Sequence, residues 1–112
     1  MVRVINIKQD MPNVDYAIYL CDKEIDYAKI LKDKAIILIH GYGSNGVGGL
    51  IKEGLTQHLS QLKKHKKIKD YVPGELWADT NPSKEYMSKI CPDLIVNSNL
   101  QNLNSGVTVV LV

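Results

Sequence analysis

Five consecutive apolar residues, Ala35-Ile36-Ile37-Leu38-Ile39, run directly into His40-Gly41-Tyr42-Gly43-Ser44-Asn45-Gly46-Val47-Gly48-Gly49, a stretch with five glycines in ten positions. A run this short and this rich in β-branched side chains reads as a central strand buried on both faces. The glycines that follow read as a turn opening the next helix. Strand, glycine turn and helix in that order are the core of an α/β chain.

The flanking periodicities agree. Val2, Val4, Ile5 and Ile7 predict a short first strand ending near Lys8. Asp10-Met11-Pro12-Asn13 reads as a turn, with Asn13 as a helix N-cap. Val14, Ile18, Cys21, Ile25 and Ala28 step by four, three, four and three, which predicts a helix over about 14–31. A second helix fits Leu50 to about Lys64, with Ile51, Leu55, Leu59 and Leu62 inside and His58 flanking the core. Ile68 and Tyr71-Val72 predict another strand, turned by Pro73-Gly74. Val107 to Val112 form a strong terminal strand after Ser105-Gly106. Between Trp77 and Asn104 only a short helix after Asn81-Pro82 is legible, broken at Cys91-Pro92-Asp93. The density of Asn, Ser and Gln there reads as a surface excursion outside the core.

A chain of 112 residues predicts one domain, here 1–112 with an inserted excursion at about 77–104. No segment reaches the apolar length of a membrane span, and the N-terminal residues lack a signal-peptide pattern. A cytoplasmic location without membrane contact is therefore expected. Cys21 and Cys91 have neither disulfide-framework nor metal-ligand spacing and are expected to be reduced thiols. The three His and two Cys are scattered, so no metal ligand is assigned; a carboxylate-only divalent site stays open.

Two features bear on chemistry. The glycine turn follows a buried strand and opens a helix, where backbone N–H groups and the helix dipole favour an anion. It lacks the Lys-[Ser/Thr] pair of a P-loop and the downstream acid of a dinucleotide fingerprint. His40, at the strand edge, is the candidate acid/base or phosphate contact. The second feature is Lys63-Lys64-His65-Lys66-Lys67-Ile68-Lys69, five lysines in seven positions. It reads either as a solvated helix end or as an electrostatic platform for phosphates.

Ile37-Leu38-Ile39-His40-Gly41-Tyr42-Gly43 and the terminal Gly106-Val107-Thr108-Val109-Val110, with Asn13-Val14-Asp15-Tyr16-Ala17 at the first helix start, resemble the motifs of the Smr (small MutS-related) domain family. The resemblance covers about residues 4–76 and 105–112. It implies a two-layer α/β sandwich of β-α-β-α-β-β order, similar in fold to the C-terminal domain of translation initiation factor three. It also implies DNA or RNA as partner and, as in several members, metal-assisted endonuclease activity. This chain departs from the family pattern at Asn6, at Lys8-Gln9 where the family has a basic residue then Gly, at Tyr42, and in a longer loop from Ser44 to Gly49. Asn6 stands where the family has an acid, and an amide neither acts as a carboxylate base nor carries charge to a cation. Tyr42 stands where a basic residue is common and would offer a stacking surface instead. The catalytic set is therefore partly degenerate, and the endonuclease assignment stays open. On this reading His40 and Lys8 are the catalytic candidates. Gly41, Tyr42, Gly43, Ser44, Lys52, Lys63, Lys64, Lys66 and Lys67 are the phosphate-contact candidates.

Two other classes compete. The segment Ile37–Ser44 also resembles the oxyanion loop of α/β-hydrolases, but the chain has no G-x-S-x-G elbow and too little length for that sheet. A non-catalytic interaction module would use the 77–104 excursion or the terminal strand edge to bind a protein partner or a second copy.

Overall fold

The computed structural model describes residues 2–8, 13–41 and 47–112. Four strands form one mixed sheet: β1 (Val2–Asn6), β2 (Ala35–Ile39), β3 (Asp70–Pro73) and β4 (Val107–Leu111). Their spatial order is β1-β2-β4-β3. β1 lies parallel to β2, and β4 runs antiparallel to both β2 and β3. The parallel pair needs a crossover, which α1 (Val14–Leu31) supplies. The expected α/β class and order of elements hold, and the first helix and central strand have the expected bounds.

β2 sits between β1 and β4, which is why its five residues are all apolar. Ile36 and Leu38 face one side, Ala35 and Ile37 the other, and all four are fully buried. The first side carries α1 and α2 (Val47–Lys64), which bury Ala17, Cys21, Ile25 and Ala28 beside Ile51, Leu55 and Leu59. Gly54 lets the two helices close up: a Cβ there would stand 2.5 Å from Val14 Cγ1. Asn13 caps α1 by accepting the Tyr16 N–H at 2.8 Å. α2 begins three residues before the expected Leu50, because its first turn absorbs Gly48-Gly49 despite their low helix propensity. His58 reaches across to α1, its Nε2 2.6 Å from Asp22 Oδ1.

The expectation of a surface excursion after Trp77 is corrected. Trp77, Met87, Cys91, Leu94 and Leu100 are buried against Ala35, Ile37, Val72, Val107, Val109 and Leu111 on the second face of the sheet. The segment thus forms a third layer, completing the sandwich that α1 and α2 begin. It is built from α3 (Pro82–Ile90) and three short 3-10 turns, at Gly74–Leu76, Pro92–Leu94 and Ser98–Leu103. Its asparagines hold backbone ends: Asn81, Asn97 and Asn104 accept from the N–H groups of Ser83, Asn99 and Gly106. Both cysteines are free and buried. Burial, with Asp22 beside it, pushes the Cys21 thiol up to about 12, so it stays an unreactive thiol. Among the described residues no helix is long and apolar enough to cross a membrane.

Candidate functional site

Three chain segments meet where β2 ends. Ile7 and Lys8 donate their N–H groups to Ile39 O at 2.9 and 3.3 Å, which lays the end of the first strand against the second. His40 and Gly41 both donate to Gly106 O at 3.0 Å, which ties the turn to the residue preceding β4. Gly41 has φ +82°, the left-handed region that glycine enters without strain. A Cβ at Gly41 would lie 3.3 Å from Lys8 Cδ, so the Lys8 stem lies directly over the turn. Tyr42, Gly43 and Ser44, named with it, lie outside the described residues.

His40 is 1 % exposed. Its Nδ1 is 2.9 Å from Gly41 O and its Nε2 2.9 Å from Thr108 Oγ1. A carbonyl only accepts, so Nδ1 carries the proton, and Nε2 accepts from the Thr108 hydroxyl. Burial holds the imidazole pKa below its ordinary value. The Gly41 carbonyl pulls the other way and Lys52 reinforces the drop. The ring is therefore neutral, with both nitrogens engaged inside the protein. It fixes the turn geometry and presents no free nitrogen in this arrangement. The N–H of Gly41, expected to face an anion, is likewise taken up by Gly106.

Lys52, from the second turn of α2, reaches the same place. Its ammonium donates to Ser105 O at 2.9 Å and to Glu75 Oε2 at 2.5 Å. Lys8 is exposed and forms no ion pair among the described residues. The first turn of α2, aimed at this end of the sheet, holds no acidic residue to neutralise its dipole. The structure thus brings together Lys8, His40, Gly41 and Lys52. It leaves Lys63, Lys64, Lys66 and Lys67 apart, at and beyond the other end of α2, where Lys63 lies roughly 17 Å from Lys52 by helix rise. Lys63 there pairs with Asp70 at 2.9 Å.

Thr108, Glu75 and Ser105 belong to the site but were not singled out from the sequence. Thr108 left a trace, as the lone polar residue in a Val-Thr-Val-Val-Leu strand. Glu75 and Ser105 lie in turns and left none. Among the described residues no three His, Cys, Asp or Glu side chains gather to hold an ion. Glu75, the carboxylate at the turn, is held by Lys52.

No family profile matches the chain. Its backbone is similar to the Smr domain of Thermus thermophilus MutS2, with a TM-score of 0.56 and 18% identity. That match covers 97% of this chain and 95% of the other. The chain therefore has the Smr-domain fold. Over 68 residues, 59% of its length, it is 38% identical to Endonuclease MutS2 of Finegoldia magna. It spans 8% of that protein. Sequence and fold point the same way, since both comparisons match this chain to MutS2 proteins.

Proposed function

We propose that this Smr-type domain binds nucleic acid through the end of the sheet at the His40 turn. The observation that carries the reading is the convergence of two lysines from different elements on that turn. Lys8 is exposed and forms no ion pair among the described residues, and Lys52 is held in place by Ser105 and Glu75. An ammonium that has no carboxylate partner is a point charge for a phosphate, and the open dipole of α2 adds to it. Similarity to an endonuclease supports nucleic acid as the partner class. DNA and RNA backbones both meet the requirement.

Binding of the chain to single- and double-stranded DNA and RNA, measured over a range of salt, tests the proposal. Affinity should fall linearly on a log–log plot of binding constant against salt. A flat response, or no binding at low salt, would sink it.

The same similarity supports a second reading, phosphodiester cleavage with His40 as acid/base and Lys8 holding the phosphate. In that reading the Thr108 hydroxyl must turn away to free Nε2. Thr108→Val would then raise cleavage relative to the wild type, while His40→Ala would abolish it. Cleavage undiminished in His40→Ala ends that reading and leaves the binding proposal standing.

A further inference from the structure

α1 and α2 both run away from the His40 turn, and both stop in the same way. Each passes into a lysine in left-handed backbone, Lys32 and Lys66, both at φ 61°. In each the lysine N–H and the next N–H bond back to the last helical turn, Lys32 to Lys29 O and Asp33 to Ala28 O. The counterparts in α2 are Lys66 to Lys63 O and Lys67 to Leu62 O. The two ends are joined directly, because the Lys29 ammonium donates to Lys67 O. Lysines from both connections therefore share one surface.

That surface is concave. Lys29, Lys32, Lys34 and Lys69 line a depression of about 400 Å³ floored by Ile90 and Leu111. Asp33, the aspartate in its wall, is engaged by Arg3 at 3.6 Å. Among the described residues none of these four lysines forms an ion pair. Lys52, Lys63, Lys84 and Lys89 do, with Glu75, Asp70, Asp79 and Glu85. Complementing a helix dipole accounts for Lys29 and Lys32, which close α1. It does not account for Lys34 and Lys69, which lie outside both helices at the rim of the same depression. Four like charges gathered around one aspartate that Arg3 already engages repel one another, and a bound anion relieves that repulsion.

We propose that this depression is a second phosphate-binding surface, which grips nucleic-acid backbone at the other end of β2, roughly 20 Å from the His40 turn by strand rise. The identity of the ligand rests on the nucleic-acid reading above; the site itself is independent of Lys8 and Lys52. The domain then holds its ligand at two ends. Lysines suit this role as point charges that follow a backbone without reading bases.

The test uses the full chain, a 16-bp DNA duplex and log–log salt titrations. Wild type is compared with Lys32→Gln/Lys34→Gln/Lys69→Gln and, separately, with Lys8→Met. Three lost phosphate contacts should make the slope shallower by about 2 to 3 units, at about 0.9 per contact. Circular dichroism should show an unchanged fold. If the triple variant does not fold, Lys34→Gln/Lys69→Gln spares the helix cap and should lower the slope by about 1 to 2 units. An unchanged slope in a folded variant overturns the second surface, and a fall with Lys8→Met alone leaves the turn reading intact. A fall in the triple variant without one in Lys8→Met supports the second surface and overturns the turn reading. Capture of polyglutamate with no binding of the duplex overturns it in favour of an acidic protein partner.

Discussion

The two ends of the sheet are both basic, yet they are built on opposite terms. At the His40 end the polar groups are locked. The imidazole is neutral and bonded at both nitrogens, Lys52 is tied to Glu75 and Ser105, and Gly106 O takes two N–H groups. At the far end, four exposed lysines surround a depression, and none of them forms an ion pair among the described residues. A tally of lysines along the chain makes the far end look the stronger. What separates the two is how many charges are already answered inside the fold, which only the tertiary contacts decide.

If the locked end is as tightly built as its hydrogen bonds imply, substitutions there should be costly. The largest effect is expected at Gly74, where a Cβ would stand 1.8 Å from Asn104 O in the connection leading to β4. Gly74→Ala should destabilise the domain by about 3 kcal/mol or more, read from urea unfolding. A loss below 1 kcal/mol would show that this end gives way easily.

Thr108→Val comes next. It leaves His40 Nε2 buried without its donor and should cost about 1–3 kcal/mol. The same ring sets a pH dependence. Its folded-state pKa lies below the unfolded value of about 6.5. As pH drops under 6.5, the unfolded chain takes up a proton that the folded chain refuses, so stability falls. Unfolding measured from pH 7.5 to 5 should show that loss, and His40→Gln should make it shallower. A profile that does not change in His40→Gln would contradict the buried neutral imidazole.

Glu75→Gln tests how far Lys52 is silenced. Its stability cost should stay within about 1 kcal/mol, because the pair is partly exposed. Duplex affinity should rise, and the salt slope should steepen by about 0.9 as one more ammonium becomes available. At the far end, Lys34→Gln should change stability by less than about 0.5 kcal/mol, since an exposed side chain there packs against little. A large loss would erase the contrast between the two ends.

The sequence made one face of the sheet far more legible than the other. The α1 face rests on a 3.6-residue repeat and an unbroken apolar run, patterns that report burial directly. The opposite face is covered by Trp77, Met87, Cys91, Leu94 and Leu100, spaced irregularly over short 3-10 turns. No period survives such turns, and the asparagines that cap them look like loop composition. The candidate site divides in the same way. His40 and Gly41 were visible because a strand and a glycine turn are local features. Their partners Gly106 and Thr108 lie more than sixty residues further on, and register across β2 and β4 brings them together. The neutral state of His40 follows from that register, so residue type alone did not carry it.

The most direct test of nucleic-acid binding at the His40 turn is the salt dependence of duplex affinity for the wild type and for Lys8→Met. Lys8 is exposed over Gly41 and outside every ion pair among the described residues, so its removal should leave the fold intact. The account predicts weaker binding and a slope shallower by about 0.9. Affinity and slope both unchanged in a folded Lys8→Met chain would contradict it.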